Sequence, residues 1–255
     1  MKLYIVATPI GNLEDITYRA VRILKEVDYI LCEDTRVTNK LLEHYEIKKP
    51  LISYHQRSKN NKTEQIIEKL KEEKNLALVT DAGTPGISDP GNELVAEVRK
   101  VFGAGSIVVK KKYHSARAGT LDYSAQDNEI VEIIPIPGVS AVMTLASVAG
   151  VNLQKFVFLG FPPNKKGRQT FFEEVVRNVQ KDNYPVFYYD SPHRVIKNLK
   201  MLQEMFSGAK VIIGRELTKK FEEIKVGMIE EVLEYYSEEG EGLVKGEFVV
   251  LVNSK

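Results

Sequence analysis

The chain has 255 residues, with 36 Lys and Arg against 35 Asp and Glu, a formal net charge of +1. Hydrophobic residues make up 43% and charged residues 28%, a balance that excludes global disorder and supplies a real core. The near-neutral charge also excludes a strongly basic coat protein for nucleic acid, though not a local basic patch.

Short apolar runs alternate with amphipathic segments. In the first half, strands are predicted at 3–7, 29–32, 51–54 and 76–80. Helices are predicted between and after them, at 16–25 with Asp15 as N-cap, at 38–45, at 63–73 and at 92–102. The helix at 63–73 places Ile66, Ile67 and Leu70 on one face. This β-α order implies a parallel sheet with helices on its faces. The stretch 103–129 breaks the rhythm with Lys110, Lys111, Lys112 and a polar run, and reads as a surface loop or extra hairpin rather than an RNA-contacting arm.

The stretch 133–138 reads as a strand running into a hinge, where Pro135 and Pro137 cannot donate to a ladder, so pairing is expected to stop there. A helix follows at 139–149, then strands at 156–160, 186–189, 211–214, 223–226 and 248–252. Helices are expected at 167–179, at 192–206 with Ser191 as N-cap before Pro192, and at 229–236. The reading is two α/β domains: 1–137 with a parallel sheet and 138–255 with a mixed sheet, with a cleft between them.

Cys32 is the single cysteine, which excludes an internal disulfide and a cysteine zinc site. His44, His55, His114 and His193 lack metal-ligand spacing. The first residues are too short an apolar run for a secretory signal, and no run reaches the ~20 apolar residues of a membrane span. A cytoplasmic protein is expected.

The chemistry collects in loops that follow strands, where parallel sheets gather ligands. The loop 7–13 contains Gly11 for a tight turn. The loop 80–91 packs three glycines, two prolines, Asp81 and Asp89 into a connection that needs only two to six residues, which favours a ligand loop. Asp89 also suits the N-cap of the next helix. Glu33, Asp34, Thr35 and Arg36 follow the second strand, and His55, a possible proton acceptor near neutral pH, follows the third. Ser140 opens a helix as ligand contact or cap. Lys165, Lys166 and Arg168 form a cationic run suited to phosphates, and Arg194 and Arg215 end further strands. No G-x-x-x-x-G-K-[ST] or G-x-G-x-x-G string is present, which disfavours a P-loop kinase or GTPase, a Rossmann dehydrogenase and a common Rossmann-type methyltransferase.

These strings occur in a distinctive order: ATPIGNL at 7–13, EDTR at 33–36, SYH at 53–55, DAGTPGISDPG at 81–91, PIPG at 135–138, GFPP at 160–163, SPHR at 191–194, RELTK at 215–219 and KGEFV at 245–249. Together they resemble the ribosomal RNA small subunit methyltransferase I family of the tetrapyrrole-methylase superfamily, end to end except around 103–129. The resemblance implies methyl transfer from S-adenosylmethionine to a cytidine ribose 2′-hydroxyl in the decoding region of 16S rRNA. It also implies a cofactor cleft between two domains, and a homodimer. Carried over by motif, the cofactor contacts are Pro9, Gly83, Thr84, Ile87, Ser140, Ala141, Phe161 and Leu217. Val139 stands where the family usually has proline, and 103–129 is the larger departure.

A ribose hydroxyl is a poor nucleophile at neutral pH, so a base would help. His55 and Asp89 are candidate bases. Arg36 is a candidate for orienting phosphate or stabilising alkoxide charge, with Arg194 beside it. RNA contacts are expected from Lys165, Lys166, Arg168 and Arg194. No metal is required. A near-neutral protein selecting one nucleotide suits recognition of shape and an unstacked base within an assembled small subunit. The alternatives are a tetrapyrrole methyltransferase and a non-catalytic ribosome-assembly factor.

Overall fold

The computed structural model describes residues 1–55, 59–89, 91–103, 131–238 and 244–254. The lysine run at 110–112 and nearly all of the 103–129 stretch lie outside the described residues. Contacts divide the chain into two compact units. The first comprises Met1–Pro9 and Leu13–Gly138, the second Ile10–Asn12 and Val139–Lys255.

The first unit is a parallel sheet of β1 (Lys2–Val6), β2 (Tyr29–Cys32), β3 (Leu51–Ser53), β4 (Leu76–Leu78) and β5 (Glu132–Ile136). Their spatial order is β3-β2-β4-β1-β5, and every pairing is parallel, as the β-α rhythm predicts. Among the described residues, four helices connect them: α1 (Tyr18–Glu26), α2 (Thr35–His44), α3 (Lys59–Lys71) and α4 (Gly91–Phe102). Strand alternation sorts the core into two faces. Ile30 and Cys32 join Ala20, Leu24 and Leu42 of α1 and α2. Leu31 and Leu76 join Ile66, Leu70, Leu94 and Val98 of α3 and α4. Both faces are covered, which is why these strands read as continuous apolar runs.

The first helices begin elsewhere than expected. Leu13–Asp15 is a 3-10 turn, and α1 is capped by Thr17, whose hydroxyl accepts the Ala20 N–H at 3.1 Å. Asp15 is therefore not the cap. Helix α2 begins at Thr35, ahead of position 38, because Asp34 accepts the Arg36 N–H at 2.8 Å. A short acceptor beside the first turn decides a helix start, and two neighbouring candidates look alike in sequence.

The sheet order fixes where a ligand can sit. From β2 the chain leaves into α2 on one face, and from the adjacent β4 it leaves into α4 on the other. Neighbouring strands that exit to opposite faces open a crevice at their carboxyl ends. The Glu33–Arg36 loop and the Asp81–Asp89 loop both arise there.

The second unit contains α5 (Ala141–Val148), β6 (Val157–Phe158), α6 (Arg168–Gln180), β7 (Val186–Asp190), α7 (Val195–Met205), β8 (Lys210–Arg215), β9 (Glu223–Met228), α8 (Ile229–Glu238) and β10 (Phe248–Asn253). Its sheet order is β6-β7-β10-β8-β9, with β6 and β7 parallel and the other pairs antiparallel. Tyr188, Ile213, Phe248 and Val250 pack beneath α6, α7 and α8. Phe187, Ile212, Val249 and Leu251 face α5 and Ile10. Helix α7 begins at Val195 rather than 192, because the Ser191 carbonyl accepts both the Arg194 and Val195 N–H groups at 3.0 Å and closes a turn first. Ser191 is not its N-cap.

Candidate active site

In the first unit, the loops after β1 and β4 are tied together. Thr8 and Gly83 exchange backbone hydrogen bonds at 2.9 and 3.1 Å, and the Thr8 hydroxyl donates to the Thr80 carbonyl at 3.0 Å. Gly83 and Gly86 have φ of +83° and +91°, a region that side chains resist, which accounts for two of the loop's glycines. Asp89 Oδ1 accepts the Gly86 N–H at 2.7 Å and the Gly91 N–H at 2.8 Å, closing the loop and capping α4. Pro9 is buried and Thr84 half-buried, while Ile87 is 42% exposed. These predicted cofactor residues thus sit on one braced pair of loops.

The acids at this edge differ in what they hold. Asp34 caps α2 and grips the Arg36 guanidinium at 2.6 Å, and Arg36 holds its carboxyl down at about 2. Arg36, predicted to serve substrate, is engaged with its own neighbour. Asp81 accepts the Asp34 N–H at 3.1 Å, and burial raises its carboxyl above the usual range. Glu33 is half-buried and pushed up to about 7, first by burial, then by the charges of Asp81 and Asp89, with the Thr80 hydroxyl pulling the other way. Beneath it, burial raises the Cys32 thiol, which makes that cysteine a core residue. His55 is exposed and follows β3, the outermost strand, with β2 between it and β4.

Glu33 was visible in sequence only as one letter of a polar turn. Its neighbours Thr80, Asp81 and Asp89 come from beyond α3, so no local spacing signals them.

In the second unit, Ser140 takes the N-cap backbone position of α5, but its side chain makes no cap bond; its carbonyl accepts from Thr144 instead. Ala141 is half-buried beside it, and Val139, at the family's usual proline position, packs on the α5 face of the core. Phe161 is 52% exposed and lies 5.2 Å from the Tyr189 ring, which stands edge-on to Phe158. Leu217 is 5% exposed and packs with Ile10, Val142 and Leu145, so its side chain is core.

The two arginines predicted to meet RNA are turned inward. Arg194 donates to the Pro162 carbonyl at 3.0 Å, to the Ser191 hydroxyl at 3.0 Å and to the Asn164 side chain. Arg168 donates to the Pro163 carbonyl at 3.3 Å and to the Asn164 carbonyl. Both brace the loop carrying Phe161. Below them, buried Asp190 accepts from the Ser191 N–H and Asn198, each at 2.8 Å. Lys165 and Lys166 are exposed.

Residues 10–12 are built into this unit. Ile10 lies in its core, the Asn12 N–H donates to the Thr218 hydroxyl at 3.2 Å, and a Cβ on Gly11 would collide with the Lys219 side chain. Lys219 is itself clamped by Glu216 at 2.9 Å and Glu247 at 3.0 Å.

Among the described residues, no group of three or more His, Cys, Asp and Glu is placed to hold a metal, and no helix is long and apolar enough to cross a membrane.

A parallel sheet with glycine loops at its switch point, followed by a mixed sheet, is the architecture of one class of methyltransferases. The model of the tetrapyrrole (corrin/porphyrin) methylases matches residues 2–109 and 118–233, and the chain belongs to that family. A crystal structure of diphthine synthase superposes with a TM-score of 0.69 at 12% identity, covering 99% of this chain and 90% of that one. That likeness carries the fold alone. More narrowly, the chain belongs with the proteins named ribosomal RNA small subunit methyltransferase I. The one from Halalkalibacterium halodurans is 39% identical over 98% of this chain and 75% of its own length. The one from Thermotoga maritima is 36% identical over 100% of this chain and 99% of its own.

The methyl donor of this class is S-adenosylmethionine. The residues present fit it chemically. In the first unit, Gly83 and Gly86 leave backbone without side chains, and Ile87 offers exposed apolar surface.

Proposed function

We propose that this protein methylates the ribose 2′-hydroxyl of a cytidine in the decoding region of 16S rRNA, on the small ribosomal subunit, as a cytoplasmic homodimer. The observation that supports this most is near full-length similarity to small-subunit rRNA methyltransferases, together with the braced loops at the carboxyl edge of the first sheet. S-adenosylmethionine supplies a methyl group already activated on a cationic sulfur, so the chain's own work is to hold and orient.

Pro9, Gly83, Thr84 and Ile87 of the first unit, and Ser140, Ala141 and Phe161 of the second, bind the cofactor. Leu217 supports them from the core. Lys165 and Lys166 meet RNA phosphates. Asp89 and Arg36 act structurally in this scheme, through the cap of α4 and the pair with Asp34.

The test is transfer of labelled methyl from S-adenosylmethionine to undermethylated small subunits, with the product nucleoside identified by digestion and mass spectrometry. The expected product is 2′-O-methylcytidine. Label entering a porphyrin precursor instead would point to a tetrapyrrole substrate. Subunit binding without cofactor binding would point to an assembly factor. Gly83→Arg should abolish cofactor binding, read by calorimetry, because φ of +83° disfavours any side chain in a loop held by the Thr8 bridge. Its circular dichroism should stay that of the native protein.

A further inference from the structure

The second unit has a cavity of about 420 Å³. That lies within roughly 300–1,000 Å³, the range of small-ligand sites. It sits at the N-terminal ends of β6 and β7 and the C-terminal end of β10. The Phe161 loop and the Ser191–Arg194 turn leave the opposite ends of β6 and β7. The frame of the cavity is fixed. Val151 packs on the α5 face of the core, and buried Pro185 accepts the Val157 N–H at 2.9 Å. The Tyr184 N–H donates to the Asn178 carbonyl at 3.0 Å. Asn183 has φ of +55°, a conformation asparagine adopts more readily than most residues, and its Oδ1 accepts the Ser254 hydroxyl at 3.2 Å.

The polar groups around this space are largely unspent. Among the described residues, the side chains of Gln154, Asp182 and Asn253 have no hydrogen-bond partner. Asn152 uses only its Oδ1, to accept the Gln154 N–H at 3.1 Å, so its amide NH2 and that of Asn183 remain available. Lys155 lies 6.0 Å from the Tyr184 ring centroid. Lys210 stands directly opposite Asn253 in the β8–β10 register, on the same face of the sheet. Among the described residues neither lysine makes an ion pair. Side-chain amides read the edges of a base, an aromatic ring carries its plane, and lysines meet its phosphate. The Asp182 carboxylate suits a base amino group or a ribose hydroxyl, and disfavours a bare anion. An apolar ligand would leave the amides unpaired.

We propose that this cavity anchors an unpaired nucleotide of the RNA substrate, other than the one that is methylated. This rests on the reading that the substrate is ribosomal RNA. An anchor at the far end of the second sheet adds to substrate binding and leaves the chemical step alone, so it acts on KM and not on kcat.

The test uses the full-length protein and undermethylated small subunits. Acetylation of Lys155 by a water-soluble ester, followed by mass spectrometry, should slow at least fivefold when subunits are bound. In the double variant Lys155→Ala with Asn253→Ala, KM for subunits should rise about tenfold. Its kcat, its S-adenosylmethionine affinity by calorimetry and its melting temperature should stay those of the wild type. Tyr184→Leu, which keeps apolar bulk and removes the ring, should raise KM in the same way. In Lys155→Ala alone, the logarithmic salt dependence of subunit binding should lose about 0.7 in slope, the value for one phosphate contact on a single strand.

Unchanged KM in the double variant, or Lys155 acetylated equally fast with and without subunits, overturns the proposal. Weaker binding with an unaltered salt slope also overturns it, and makes the occupant a ribosomal protein. Loss of kcat or of cofactor affinity overturns it by tying the cavity to the catalytic step. A wild type that binds no small subunit overturns the RNA reading, and the proposal falls with it. Wild-type binding alone tells that failure from the others.

Discussion

Glu33 holds a proton in the folded chain that it would release in the unfolded one, and this has a sign. A carboxyl raised from 4.5 to about 7 favours the folded state fully below pH 4.5, and that contribution is lost as pH rises through 7. Glu33→Gln keeps the shape and removes the titration. The variant should therefore gain stability over wild type at pH 8 and show little advantage at pH 4.5, read from urea midpoints at both. Asp34 runs the opposite way: its carboxyl is held at about 2, so the Arg36 pair persists to low pH and weakens only as acid approaches that value. Two adjacent acids with opposite shifts share one turn. The letters E and D do not distinguish them; their neighbours from beyond α3 and from the start of α2 do.

At the level of elements, the alternation of apolar runs and amphipathic stretches was enough to place most strands and helices, because burial on both faces leaves a continuous apolar signature. Helix starts were harder. Thr17 won the cap of α1 over the expected Asp15, Asp34 started α2 ahead of position 38, and the Ser191 turn delayed α7. The cationic stretch around Lys165 was legible as charge, but not the carbonyls of Pro162, Pro163 and Asn164 that absorb Arg194 and Arg168. This separates two kinds of cation by experiment. Arg194→Gln should weaken S-adenosylmethionine binding by loosening the Phe161 loop, while leaving the salt dependence of subunit binding unchanged. Replacing Lys165 and Lys166 with alanine should flatten that dependence by roughly one to two in slope and leave cofactor affinity intact.

For the molecule as a whole, the described cores fall into four clusters, two for each unit. Cooperativity follows shared burial, so heat should not melt this chain as one unit. Differential scanning calorimetry is expected to give a calorimetric enthalpy above the van't Hoff value, resolvable into two transitions. S-adenosylmethionine should move the transition of every unit that binds it by mass action. Coincident melting by independent probes, with equal enthalpies, would contradict this.

The three residues Ile10, Gly11 and Asn12 have a consequence for how the chain can be cut and made. The second unit borrows part of its interior from a point before the first unit has been completed. A fragment beginning at Val139 would lack the Ile10 side chain in its core and the Asn12 link to Thr218. The hole alone should cost roughly 2 to 5 kcal/mol, the range for truncating a buried aliphatic residue. On the ribosome, residue 10 must wait until more than half of the chain has been synthesised before it meets its neighbours. The order of synthesis is thus stitched into the core, and a short peptide spanning residues 7–13, added in trans, should restore stability to the isolated fragment.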